Sequence, residues 1–203
     1  NSFVIAGDAL TGGDHKLEIV REGTGAVYYS AYLDYFTQEE DIKGTGLEIK
    51  VQRKYFKLDR VIKEVGGENT EGGAASEKRL RYTRTELANG AQLKSGDLLE
   101  IELLVTSKND YDYLCFEDFK PAGCEPVALR SGSTYGELCS NMELRDEKVV
   151  FFITWLNQGS YLLKYRMRAE IPGTFHALPT KGFAMYAPEL KCNSDEITLK
   201  IED

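Results

Sequence analysis

The stretch GSYLLKYRMRAEIPGTFHALPTKGFAMYAPE, residues 159–189, decides the fold. In its first half Tyr161, Leu163, Tyr165, Met167, Ala169 and Ile171 alternate with Leu162, Lys164, Arg166, Arg168 and Glu170. Successive side chains of a strand point to opposite faces, so this spacing predicts a half-buried antiparallel strand. Pro172-Gly173 ends it, and a second short apolar run occupies 174–178. A glycine- and proline-punctuated loop then carries Phe183, Met185 and Tyr186 up to Pro188. Large apolar side chains on such a loop are either tucked under their own domain or offered to a partner surface.

Working upstream, the same period recurs. Leu99, Ile101, Leu103 and Val105 share one face of a strand, and Asn109-Asp110 mark the turn into a second strand over 111–118. Pro121, Gly123 and Pro126 force an extended corner, because proline rings fix φ and disfavour helix in the residues before them. Residues 141–146 and 148–155 read as a tight hairpin, and Ile197, Leu199 and Ile201 close the chain in register. A weakly helical stretch is expected only near 133–139. Many short strands separated by turns predict an all-β fold, an antiparallel β-sandwich.

The N-terminal part divides from this sandwich. Residues 3–6, 15–20 and 26–36 read as strands between glycine clusters, and AVYYSAYLDYF carries large side chains on both faces. Residues 37–46, TQEEDIKGTG, are the expected linker, so a smaller partial β segment over 1–44 precedes a sandwich over 45–203. Leu47, Ile49, Val51 and Tyr55 alternate with Glu48, Lys50, Gln52 and Lys54 as the first strand after it. The Gly-, Glu- and Ser-rich residues 66–79 read as an insertion at the tip of a long hairpin with arms 60–65 and 80–87.

Composition bounds function. The chain has 203 residues, 42% hydrophobic and 29% charged, which is ordinary globular material able to bury a core. A net charge of −8 argues against nucleic acid and anionic membrane as partners, since both require a basic face. No apolar run reaches membrane-spanning length. The chain opens on Asn1 and reads as a processed form or a piece of something longer, so its start says nothing about export.

Cys115, Cys124, Cys139 and Cys192 lack paired Cys-x-x-Cys spacing, and His15 and His176 have no nearby cysteine, so neither a metal nor another cofactor is expected. An even count permits two disulfides in any of three connectivities, or free thiols. Glu117 and Asp118 are adjacent on a strand and point to opposite faces, so they cannot share a substrate, and Asp118 reads as a turn cap. Ser131 and Ser133 lack a nucleophile elbow, and His176 has no acid or nucleophile spaced around it. No enzyme is expected. A hydrolase would need His176 within hydrogen-bond reach of a cysteine or serine.

The motifs carry a resemblance. CFEDFKPAGCEPV, KSGDLLEIELLVTS, the 159–179 segment and above all MYAPE resemble the C-terminal region of bacterial alpha-2-macroglobulin-like proteins. Those proteins have a corner of the type E-D-x-x-P-A-G-x-E-P, a strand ending in P-G-x-F and a Met-Tyr-x-Pro-Glu loop. The matching residues are Glu117, Asp118, Pro121, Ala122, Gly123, Glu125 and Pro126, then Pro172, Gly173 and Phe175, then Met185, Tyr186, Pro188 and Glu189. GTGAVYYSAYLDYF is more weakly similar to the returning half of a CUB-type β domain. Cys124 and the 66–79 insertion depart from the pattern.

The resemblance implies an immunoglobulin-like, macroglobulin-type sandwich in a bacterial protease trap, where cleavage of a bait exposes a Cys-Gln thioester that bonds to the protease. No Cys-x-x-Gln stands here, so the reactive bond lies outside these residues or is absent from the protein. It further implies that Met185 and Tyr186, with Phe183 beside them and Pro188 stiffening the loop, shield that thioester; alternatively they plug their own sandwich. The implied partners are the thioester domain of the same parent chain and, through the parent, target proteases. The implied location is periplasmic or at the cell surface, on an exported and membrane-anchored parent. The alternative function is a surface binding or adhesion module of the same fold, which tandem sandwich repeats upstream would indicate.

Overall fold

A computed structural model describes residues 3–7, 15–29, 31, 42–65, 77–128, 131–134 and 138–203. The chain divides into two compact units, Asn1–Gln38 and Glu39–Asp203. In the first, the described residues form no strand. The strands expected at 3–6 and 15–20 are therefore absent, and most of 30–36 lies outside the described residues. A strand needs a neighbour's amides and carbonyls, and among the described residues these segments take part in no strand pairing; Phe3, Val4 and Tyr28 stand exposed instead.

Among its described residues the second unit contains fourteen strands and no α-helix. In chain order they are β1 (Ile49–Val65), β2 (Glu77–Leu87), β3 (Ala91–Lys94), β4 (Leu98–Ser107), β5 (Tyr111–Phe119), β6 (Cys124–Pro126) and β7 (Gly132–Thr134). They continue as β8 (Ser140–Leu144), β9 (Lys148–Leu156), β10 (Gly159–Ala169), β11 (Gly173–Ala177), β12 (Lys181–Ala184), β13 (Ala187–Asn193) and β14 (Ile197–Glu202). One sheet runs β2-β1-β4-β10-β6, a second β13-β12-β5-β9-β8-β7, and a three-stranded sheet β11-β14-β3 completes the layers. The long hairpin is present as β1 against β2, paired from Tyr55↔Leu87 to Val65↔Glu77, and its tip lies outside the described residues. Of the stretch expected to be weakly helical, Ser133 and Thr134 lie in β7, which pairs with β8, and 135–137 lie outside the described residues.

The period-2 pattern becomes the core. Leu99, Ile101, Leu103 and Val105 of β4 are fully buried, facing Leu114 and Phe116 of β5 and Val149, Phe151 and Ile153 of β9. On β10 Leu163, Tyr165, Met167 and Ala169 join them, whereas Ile171 falls beyond the strand and is exposed. Burial of a large apolar side chain is worth about 1.5–3 kcal/mol, so these rows fix which face of each strand turns inward. The expected linker is not a free connector where it is described. Thr45 and Asn193 exchange backbone hydrogen bonds of 3.0 and 2.8 Å, and the Gly44 amide donates to Asp195 Oδ1 at 2.8 Å, so 42–46 is strapped along the start of the β13–β14 turn.

The outer face of the first sheet is an ionic lattice. Arg166 donates to Glu100 at 3.0 Å, Lys164 pairs with Glu102 at 2.8 Å, and Arg84 lies 4.2 Å over the Phe56 ring while reaching both carboxylates. Partial burial pushes the Glu102 carboxyl up, but hydrogen bonds from Lys164 and Arg84 outweigh it and hold the group below its ordinary value. A depressed folded value means stability that is full above the unfolded carboxyl value of about 4.3 and is lost as pH falls through the folded value. The unfolding midpoint should therefore drop as pH falls below about 5. A Glu102→Gln variant should show a shallower drop, and an identical pH slope would contradict this role.

Candidate functional site

The apolar loop of the sequence is a hairpin. β12 pairs with both β13 and β5, and the turn between β12 and β13 is Met185-Tyr186. Gly182 sits where it does because a Cβ there would lie 2.5 Å from the Phe116 ring and 2.7 Å from Cys192 Sγ. Pro188 lies on β13, the edge strand, where its missing amide donor is tolerated. Phe183 is half-buried opposite Cys115, and Pro188 is exposed. At the tip the apolar character remains in solvent, with Met185 47% and Tyr186 80% exposed.

The turn nevertheless has a defined seat. The Met185 amide donates to the Tyr113 carbonyl at 2.8 Å, and the Tyr113 and Tyr186 rings meet edge to face at 5.4 Å and 86°. Nothing in the residue types around Tyr113 announced this, because NDYDY reads simply as a turn entering a strand.

The root of the hairpin is tied by a buried charge. Arg53 Nη1 donates to Asp118 Oδ1 at 2.7 Å, with side chains 1% and 0% exposed. The same guanidinium donates to the carbonyls of Leu178 and Ala177, both at 2.8 Å, and to Asp195 at 3.2 Å. Tyr165 Oη donates to Asp118 Oδ2 at 2.7 Å and Thr180 Oγ1 to Asp118 Oδ1 at 2.9 Å. Thr180 and Ser194 close the strands β12 and β13 at this end, through Thr180 N to Ser194 Oγ at 2.9 Å and Ser194 N to Thr180 O at 3.0 Å. Burial opposes the guanidinium charge, but the Tyr55 oxygen and the Asp118 carboxylate offset it and raise Arg53 above its ordinary value. Burial, reinforced by Asp118, likewise raises Tyr165, so it stays a neutral donor. Asp118 is thus not a turn cap but the acceptor at the centre of this network.

The corner residues serve a different end of the molecule. Residues 120–123 carry the chain from β5 across to β6, which pairs with β10 as Ala169↔Cys124 and Met167↔Pro126. Cys124 donates to the Pro121 carbonyl at 2.9 Å, and the Gly123 carbonyl accepts from Glu170 and Ile171 at 2.8 and 3.2 Å. A side chain at Gly123 would strike the Phe175 ring. Glu117 pairs with Lys148 at 2.7 Å and Glu125 with Lys120 at 3.1 Å. Asp118 and Tyr113 stand near opposite ends of β5, about 17 Å apart along the strand, so corner and turn do not converge on one site.

Nothing among the described residues assembles a reactive centre. All four cysteines are free, and burial pushes the thiols of Cys115 up to about 11 and of Cys124 and Cys192 up to about 12, away from the nucleophilic thiolate. His176 Nδ1 lies 2.8 Å from Glu196 and 3.4 Å from the Thr198 hydroxyl, with no cysteine or serine as partner. No group of three metal-ligating side chains occurs among the described residues. Among those residues, no helix is long and apolar enough to cross a membrane.

Comparison with known proteins gives the same frame. Residues 49–189 match the family model described as the bacterial alpha-2-macroglobulin MG10 domain. The chain is 23% identical over 203 residues to an alpha-2-macroglobulin homolog of Nostoc sp., covering 96% of this chain and 10% of that protein. It is 28% identical over 222 residues to an alpha-2-macroglobulin of Thermotoga maritima, covering 98% of this chain and 14% of that protein. Its fold matches the crystal structure of Salmonella alpha-2-macroglobulin reacted with methylamine, with a TM-score of 0.55 at 18% identity over 80% of this chain and 10% of that one. The chain thus spans a small fraction of the length of each relative.

Proposed function

Because this chain belongs to the bacterial alpha-2-macroglobulin MG10 domain family, we propose that it is a non-catalytic structural domain of a larger protease-trapping protein and that its Met185-Tyr186 turn shields a thioester carried elsewhere in the parent. The parent is exported, to the periplasm or the cell surface, and meets its target proteases through other domains. The observation that carries the reading is a turn held in one place by Tyr113 while its own apolar side chains stay largely in solvent. A loop that filled its own sandwich would bury Met185 and Tyr186; this one holds them outward as a preformed apolar cover.

The chemistry of a thioester asks for such a cover. Its acyl carbon is open to water and amines, and attack expels the thiolate. An apolar lid that excludes both nucleophiles keeps the bond intact until the domains separate. That a Salmonella relative has been obtained reacted with methylamine, a small amine nucleophile, supports a parent of this kind. In this arrangement Phe183 packs the hairpin onto β5, and Pro188 stiffens the strand leaving the turn.

Peroxide footprinting tests the reading, because an accessible thioether oxidises to the sulfoxide whereas a buried one is protected. In the isolated chain Met185 should oxidise readily while Met167, fully buried, should not. In the native parent Met185 should be protected, and treatment with methylamine should restore its oxidation. Equal oxidation of Met185 in the isolated chain and in the native parent would overturn the shielding role.

A further inference from the structure

We propose that Tyr113 is the positioning residue that seats the Met185-Tyr186 turn, an inference that rests on the shielding role given to that turn. Tyr113 has φ of +55°, the one positive φ at a non-glycine position among the described residues. For a bulky side chain the left-handed region is a genuine outlier, and such conformations persist only where the surroundings hold them. The sheet does not require it. Asp112↔Trp155 and Leu114↔Ile153 keep one register on either side, so Tyr113 is not an inserted residue but one turned out of an otherwise continuous ladder.

What the conformation achieves is the aim of two groups. It directs the carbonyl to the Met185 amide and the ring edge-on to Tyr186. The backbone bond fixes the turn, and the ring contact fixes the Tyr186 side chain, although that residue is 80% exposed. Tyr113 is itself 45% exposed, so it contributes little to the sandwich core. The lid surface is thereby ordered before any partner arrives, which removes an ordering cost from interdomain docking.

Three variants of the intact chain separate the two contacts. Tyr113→Phe keeps ring and backbone and should leave both readouts unchanged. Tyr113→Asn tolerates left-handed φ but lacks the ring, so Met185 amide exchange should stay near the unaltered rate while the Tyr186 ring resonances move toward random-coil positions. Tyr113→Val cannot hold positive φ, and Met185 exchange should accelerate about tenfold, the factor expected for one lost hydrogen bond. Amides of Phe116 and Phe151 report global stability and should not follow. A Val variant that retains Met185 protection, or an Asn variant with unmoved Tyr186 resonances, would overturn the proposal. If the Val variant fails to fold, the contrast between Phe and Asn at Tyr186 decides. If the exchange pattern holds but amine sensitivity of the thioester-bearing parent is the same in all variants, the seat stands and the shielding role falls.

Discussion

Replacing Arg53 with methionine should lower the stability of the Glu39–Asp203 unit by about 3–5 kcal/mol, which corresponds to a fall of roughly 6–20 °C in unfolding midpoint. The size follows from what is left behind. Without the guanidinium, Asp118 remains at 0% exposure with only the Tyr165 and Thr180 hydroxyls to satisfy its charge, and the carbonyls of Ala177 and Leu178 lose their donor. An uncompensated buried carboxylate costs far more than the intact pair contributes. Arg53→Lys should rescue little, because one ammonium cannot span the carboxylate and the four carbonyls that the planar fork reaches. The double replacement Arg53→Met with Asp118→Leu should lose clearly less than the sum of its single changes, since it removes both charges together. Equal and additive losses would show that the two groups do not act as a pair.

The network is also not an economical way to stabilise a core. Arg53 Nε and Tyr55 Oη are buried without a hydrogen-bond partner, and each such group costs about 1–3 kcal/mol. An apolar filling would avoid that cost, so the network's value lies in which backbone segments it selects. Those segments are the β11–β12 and β13–β14 connections, the two chain passages at the root of the β12–β13 hairpin.

Period-2 alternation made β4, β9 and β10 legible, because an antiparallel strand with one face on the core has no other way to distribute its side chains. Arg53 was hidden in the same pattern. Between Gln52 and Lys54 it reads as part of a solvated strand, yet it falls on the face of Ile49, Val51 and Tyr55, and that parity was the signal available for finding a buried cation. The hairpin of β12 and β13 was obscured by Gly182 and Pro188, which punctuate loops in general but here answer a close approach to Phe116 and an edge position. The corner at 121–126 was legible as a corner. Its work as a crossing between two sheets was not, since that depends on pairing with β10, more than forty residues downstream in the chain. At 3–6 and 15–20 apolar residues between glycine clusters read as strands and none forms among the described residues, because local composition does not supply the pairing backbone.

The shielding role of the turn is tested most directly in the parent protein by a Tyr186→Gly substitution. Tyr186 is 80% exposed in this domain, so the change should move the unfolding midpoint little, as exposed substitutions generally stay within about 0.5 kcal/mol. Under the proposed role it would remove the larger aromatic face of the cover and leave Met185 alone to exclude water and amine. Opening that cover should lower the barrier to attack by water or methylamine by ~1.4 kcal/mol or more, a rise of about tenfold or greater in rate. The measurement is the rate of thiol release and methylamine incorporation in the parent, unaltered and carrying Tyr186→Gly, with thermal unfolding recorded beside it. A faster thioester loss at an unchanged unfolding midpoint is the predicted result. An unchanged rate of thioester loss would contradict the shield.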